Sequence, residues 1–567
     1  MEEIMIGREM NSKEMIPEEE NQEGAKIFGK LAGASLLYAL VYTGCLFENV
    51  MGLASVLWVA SSVWYVRFVF RMFGEKERRD NGIVLGMIVL LGISTVLTGN
   101  EWIGWMNDLI IFVLLVGILL HNFAQDTGWN FGKYLAEIVA AVCGAVCFIG
   151  KPFADGGAFY RSKKTRESHA GWYVLIGICA AVPCLMVLVL LLMSADMVFA
   201  DLLVRFAGVF RFPVKLLRIL LMLVFGFLSS YCGVRYVQKH AADIKPSAGK
   251  TAEPLIAIAF TAPIAVLYLL FSAIQIVYLF IGNMQLPAGV TYAEYARRGF
   301  FQLLFVCVLN LAAVLSIQSY FKENRVLKAL LLAISGCTLI MTASSACRML
   351  LYIRAYQLTF LRVSVLVALA VIALLMAGVI AKIVKPQFPL FRYGFVLAGA
   401  VYLVFAFSHV DYFIAAYNLT HTSWEASGEE TVDYSYLYTL STDAAPAIEK
   451  YAGKSGAADY RKQGWYQLYC EANEEALNET GLRTYNVSHA VAKQLLMEDN
   501  REWRKSRVTA GTGRSGGDWN GRTDGETPCR SGGKKAAAGG TGGENLGQYQ
   551  LPYRRESFCH HAERAGL

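Results

Sequence analysis

The chain has 567 residues, 55% of them hydrophobic and 17% charged, with a mean hydropathy of +0.40. That is too apolar and too poor in charge for a soluble protein of this length. Lys and Arg number 52 against 45 Asp and Glu, a net charge of +7, but residues 501–567 hold twelve of the basic and seven of the acidic residues. The first 500 residues carry 40 basic against 38 acidic, so basicity gives no argument for nucleic acid.

Residues 1–24 are polar and acidic. They lack the basic start and short apolar core of a signal peptide and are expected to be cytoplasmic. Twelve apolar runs follow, at about 28–47, 51–70, 82–98, 104–120, 134–150, 171–193, 217–236, 254–282, 299–318, 328–347, 363–384 and 393–410. Most are long enough to cross about 30 Å of hydrocarbon. The sequence therefore predicts an all-α, polytopic transmembrane bundle of about 11–12 spans. Residues 25–150 form its N-terminal helices, 151–170 a basic loop, and 171–419 its core. Pro183 and Pro263 lie inside runs and are expected to kink them. Of twelve cysteines, most sit in apolar runs, Cys143, Cys147, Cys179, Cys184, Cys307 and Cys337 among them. They read as small buried hydrophobes rather than metal ligands.

Lys and Arg concentrate in loops 71–80, 151–170, 235–252, 319–328 and 382–392, which the positive-inside rule places in the cytoplasm. Three runs separate the first two of these loops, and an odd number cannot return the chain to one side. The short run 134–150, which contains Glu137, is expected to be interfacial or re-entrant, unless a neighbouring run fails to cross.

From residue 171 the alternation puts four segments on one face, by the same rule the extracytoplasmic one. They carry Asp196 and Asp201; Glu294, Arg297 and Arg298; Arg348, Tyr352, Arg354, Tyr356 and Arg362; and Asp411, Tyr412, Tyr417 and Asn418. Thr291 and Glu294 make a capping-box pattern ahead of an apolar run, and Glu294 is spaced to pair with Arg297 and Arg298 along a helix. These charges either snorkel and pair locally or converge in one outward-facing polar cluster.

Residues 420–500 are polar, acidic and Tyr-rich, with Leu440-Ser441-Thr442-Asp443 as a helix-start signal ahead of Pro446. They predict a small helical extracytoplasmic module. Asn-x-Ser/Thr triplets stand at Asn418, Asn478 and Asn486. Residues 501–567 contain no Ile and one Val among runs of Gly, Arg, Ser and Thr. They form a disordered, low-complexity tail or the product of a shifted reading frame.

Several stretches resemble bacterial multi-pass membrane proteins of domain of unknown function 4173, related to 4153. They are Ser-Ala-Asp-Met-Val-Phe-Ala at 194–200, Thr-Tyr-Ala-Glu-Tyr-Ala-Arg-Arg-Gly-Phe-Phe at 291–301, and Arg-Met-Leu-Leu-Tyr-Ile-Arg-Ala-Tyr-Gln-Leu-Thr at 348–359. Ile-Ala-Ala-Tyr-Asn-Leu at 414–419, Leu-Ser-Thr-Asp-Ala-Ala-Pro-Ala at 440–447 and Arg-Thr-Tyr-Asn-Val-Ser at 483–488 complete the likeness. Gln357, Met197 and Ala416 depart from the pattern, where Gly, Pro and Arg are expected. The resemblance implies a bacterial plasma-membrane protein whose natural end lies near residue 500, and no known reaction.

The sequence holds no His-Glu-x-x-His, paired Cys-x-x-Cys or phosphate-binding glycine loop. His169, His240, His409, His421 and His489 are isolated and read as solvated or capping residues. No cofactor and no metal are expected. Three functions remain open. The first is a non-enzymatic envelope protein that binds an anionic lipid, an envelope precursor or a membrane-protein partner at its outer face. The second is a transporter, with Gln275, Gln302 and Asn310 as buried amides along its path. The third is a membrane-embedded transferase with Asp196, Asp201 or Glu294 as base.

Overall fold

The structure is a computed structural model. It describes residues 2–49, 51–126, 128–163, 214–241, 250–277, 300–421, 423–424, 430–431, 434–452, 464–478 and 481–496, with scattered positions between 181 and 202. The chain forms two units, Met1–Arg504 and Lys505–Leu567, and everything described belongs to the first. The expected disordered tail lies outside the described residues.

Apolar runs become helices because a backbone in lipid must satisfy its own hydrogen bonds. The helices are α1 (Glu2–Leu46), α2 (Leu53–Phe73), α3 (Asn81–Leu97), α4 (Glu101–Phe123), α5 (Phe131–Cys147), α6 (Lys151–Lys163) and α7 (Val214–His240). There follow α8 (Pro254–Gln275), α9 (Phe300–Tyr320), α10 (Arg325–Tyr356), α11 (Phe360–Val384), α12 (Leu390–Phe407) and α13 (Val410–Thr420). Asparagine side chains start several of them. Asn100 accepts from Ile103 N at 3.2 Å, Asn130 from Lys133 N at 2.8 Å and Asn324 from Val326 N at 2.8 Å. The helix α8 runs on past Pro263.

Among the described residues nine helices are long and apolar enough to cross a membrane, or ten if α5 and α6 count as one broken span. The helix α3, at 17 residues, is shorter. The run expected at 171–193 lies outside the described residues apart from scattered positions, which is where this number falls below 11–12.

The helices pack in two groups. In the first, α1 lies against α2, α6 and α7. In the second, α10 lies against α8, α9 and α11. The helix α12 joins them, packing on both α11 and α3. Ser94 Oγ donates to Ala406 O at 2.9 Å and Tyr402 OH to Asn107 Oδ1 at 2.9 Å across that seam.

The run at 134–150 bears on the odd count of runs: it forms α5, whose axis bends by 56° from that of α6. Tyr134 of α5 stacks on Phe391 at 4.7 Å, Ala141 packs with Leu120, Val237 and Ala241, and Phe148 meets Tyr236 and His240. Phe159 of α6 lies 5.6 Å from Phe28. All these partners lie at one end of α1, α4, α7 and α12. The pair is thus a broken span or a re-entrant loop that packs against these partners. The side chains of Phe131, Leu135, Val139, Val142 and Val146 are exposed at helical spacing along α5, as are Cys143 and Cys147. Those two cysteines are thus not buried, whereas Cys307 and Cys337 are. The basic loop expected from residue 151 is helical through Lys163.

Opposite that end sits the cap: α14 (Tyr434–Leu437), α15 (Ala445–Tyr451), α16 (Gly464–Ala472), α17 (Glu474–Asn478) and α18 (487–496). A two-residue antiparallel pair, Ser423↔Thr431 and Trp424↔Glu430, is the described β-structure of an otherwise helical fold. The cap shares one apolar core with α13, in which Ile414, Ala415, Leu437, Ile448, Tyr469 and Leu496 are buried together.

Candidate functional site

Four turns of the membrane domain meet the cap: 47–52, 98–100, 357–359 and 408–409. The centre of the contact is a layer of buried polar groups. Asp443 Oδ1 accepts from Gly99 N at 2.9 Å, and Oδ2 from Thr98 Oγ1 at 2.7 Å. His409 Nδ1 lies 3.3 Å from the same carboxylate. Asp411 Oδ2 accepts from Asn100 Nδ2 at 2.9 Å and from Ser441 Oγ at 2.5 Å. Asn486 Nδ2 donates to Thr98 O at 2.8 Å, and Thr442 and Ser488 share a bond of 2.7 Å. The cap comes so close that a Cβ on Gly99 would stand 1.9 Å from Thr442 Oγ1. A second strip pairs Leu53 N with Tyr485 O at 2.8 Å and Ala54 N with Arg483 O at 3.1 Å.

This layer sets the charge states. Burial pushes Asp443 up, but donors from His409, Ser488, Thr98 and Gly99 outweigh it and hold the carboxyl below its ordinary range. Burial raises Asp411, and the neighbouring charge of Asp443 adds to the effect, against the donors Ser441 and Asn100. The bond to Asp443 raises His409. His409 is therefore an ion-pair partner rather than an isolated solvated residue.

The sequence-predicted site residues separate. Asp201, Glu294, Arg297 and Arg298 lie outside the described residues. Asp196 is exposed, and its Oδ1 accepts from Val198 N at 2.8 Å and Phe199 N at 3.3 Å, a turn-capping arrangement. Asp411 is buried in the interlock. Asn418 is also buried, with Oδ1 accepting from Leu358 N and Nδ2 donating to Leu358 O, both at 2.9 Å. Both residues bind the protein to itself.

Arg348, Tyr352, Arg354, Tyr356 and Arg362 cluster around the α10–α11 turn. The Arg362 guanidinium lies 4.3 Å from the centre of the Tyr352 ring, and Tyr352 and Tyr356 are 5.2 Å apart. Arg362 Nη1 donates to the carbonyls of Tyr356 and Gln357, the open end of α10. Arg348 is half-buried and Arg354 is exposed. Among the described residues neither Arg354 nor Arg362 has a carboxylate partner. At Gln357 the backbone turns left-handed, φ 62 and ψ −176, a region that suits glycine and strains other residues. The side chain secures it by donating to Asn418 O at 3.3 Å and His421 O at 2.8 Å. A Gly at this position, as the resemblance leads one to expect, would have a backbone cause.

Two of the amides expected along a transport path are paired inside helix contacts. Gln275 Oε1 accepts from Ser344 Oγ at 2.6 Å, and Asn310 bonds Tyr268 OH at 2.9 Å and Thr338 Oγ1 at 3.0 Å. Gln302 is exposed. On the face away from the cap, sequence reasoning missed two knots. Asp155 and Arg235 form a buried pair at 3.0 Å that Tyr231 OH joins at 2.8 Å. Asp126 takes Arg78 at 2.6 Å together with His121 and Tyr134. Burial pushes Asp126 up, but these three donors hold it well below the carboxylate range. Among the described residues no group of His, Cys, Asp and Glu is placed to hold a metal.

A multi-pass bundle whose polar residues tie an external cap to its turns is an integral membrane protein. The chain matches the Domain of unknown function (DUF4153) over residues 85–451, more than half its length, and it belongs to that family. No curated protein and no solved structure matches it. The family boundaries take in Thr98, Gly99, Asn100, His409, Asp411 and Asp443, the centre of the interlock.

Proposed function

We propose that this is a non-enzymatic plasma-membrane protein of the bacterial envelope that binds an anionic, lipid-linked ligand at the extracytoplasmic end of its membrane domain. Sidedness rests on the basic loops: Arg71, Lys76, Arg78 and Arg79, then Lys322, Arg325 and Lys328, then Lys382 and Lys385, all on the face away from the cap. The ligand reading rests on Arg362. Its guanidinium is held over the Tyr352 ring and by two carbonyls, with no carboxylate among the described residues to neutralise it. A planar fork fixed in this way is suited to phosphate or carboxylate, and Arg354 stands exposed on the same helix end.

Native mass spectrometry of the full chain from mild detergent tests the reading. Wild type should retain an anionic lipid that the Arg354→Ala, Arg362→Lys double variant loses. Equal retention in both would sink the proposal, and an empty wild type that captures an envelope protein through the cap would favour the partner reading.

A further inference from the structure

Asp108 lies eight residues into α4, about 12 Å along the helix from its cap-side end. It falls inside a span, and it shares no residue with the arginine patch. Its neighbour Asn107 shows how the fold treats a structural polar group. Asn107 Nδ2 donates to Thr95 Oγ1 at 3.1 Å, and its Oδ1 accepts from Tyr402 OH at 2.9 Å. Asp108 Oδ1 is also shut off from solvent, yet nothing donates to it. Among the described residues no ion pair or other bond involves this side chain. The titratable groups that face it are Tyr42 of α1 and Tyr402 of α12, and α2 and α3 present none.

An ionised carboxylate without a partner at this depth is costly. Pairing with a cation or a metal would remove that cost, and among the described residues neither is arranged. The remaining remedy is a proton. Toward the cap, the adjacent Asn107 bonds Thr95, and Asn486 bonds Thr95 O at 3.3 Å and Thr98 O at 2.8 Å. The other side is the apolar packing of Ile111, Leu114, Leu115 and Ile118.

We infer that Asp108 is a reversible proton-binding site of the membrane domain, exchanging H⁺ with the cap-side face. The step is the addition of one proton to a carboxylate oxygen and its release by the same route. Such a site is the part a proton-coupled membrane protein requires, and it stands or falls separately from anion binding at Arg362.

A hydrophobic carbodiimide reacts with protonated carboxyls inside a membrane and leaves a stable acylurea. The full-length protein in liposomes would be treated with dicyclohexylcarbodiimide across a pH series and the adduct located by peptide mass spectrometry. Adduct at Asp108 should fall about tenfold per pH unit above its apparent pKa. It should vanish in Asp108→Asn and persist in Glu137→Gln, a second acid in the apolar helices. A yield independent of pH would mean a permanently protonated packing residue, and no adduct in folded protein, with adduct after denaturation, would mean an ionised or shielded one. Either result overturns the inference.

Discussion

The two ends of the membrane domain use the same chemistry at different depths. At the cap end, Asp443 and Asp411 are buried and each takes several donors. At the other end, Lys250–Glu323 at 2.9 Å, Lys322–Glu253 at 2.6 Å and Lys328–Glu323 at 2.5 Å are exposed ion pairs linking the turns before α8 and α10. Water screens the second set and cannot reach the first. The cap-end bonds hold two parts of the chain together, whereas the exposed pairs decorate loops already placed by their helices.

The comparison breaks most sharply at Asp443. Replacing it with Ala orphans Gly99 N and Thr98 Oγ1, and the expected loss is about 3–5 kcal/mol, read as a lowered unfolding temperature and rapid proteolysis of residues 420–500. Should the cap stay protected, the buried layer is not what holds it. Next, Gly99→Ala drives a methyl against Thr442 and should cost about 1–3 kcal/mol. A paired Thr442→Ala change should recover part of that loss in the same melting assay.

Acidity sharpens the contrast. His409 is raised in the folded state, so its contribution is full below about pH 6.5 and is lost as pH rises through the folded value. Asp443 is lowered, so its contribution is present above about pH 4 and is lost as pH falls through its folded value. Asp411 is raised and opposes Asp443, weakening the fold as it ionises. Cap proteolysis should therefore increase on the alkaline side in wild type, and His409→Gln should flatten that arm alone. Smallest of all, Glu323→Gln removes two exposed pairs and should cost no more than about 1 kcal/mol, less in high salt. A larger loss would show that exposure is a poor guide here.

Much of the helix plan was legible because hydrocarbon imposes it. Runs of the right length become spans, and the odd count of runs between loops 71–80 and 151–170 singled out 134–150 as the one that does not cross simply. The sites were legible only in part. Asp411 and Asn418 stood out as charged or polar residues beside the last run, but their partners were hidden by distance. Asn100 lies 311 residues from Asp411, and Leu358 lies 60 from Asn418. Hydropathy carries no information on which carbonyl a side chain will meet. Asp108 was missed for the opposite reason, since a single acid scarcely lowers the apolarity of a 23-residue helix. Ser441-Thr442-Asp443 was read as a helix start. Ser441 does accept from Asp443 N at 3.4 Å, so the local signal was sound and its long-range use invisible.

The reach of the interlock also says something about biogenesis. Gly99 emerges from the ribosome 344 residues ahead of the aspartate that fills its seat. The first four helices must insert and wait with polar turns uncovered until the last segment has been made. Seating of Asp443 is then a check that every intervening crossing has the right parity, because a chain with one span missing delivers its cap to the wrong compartment.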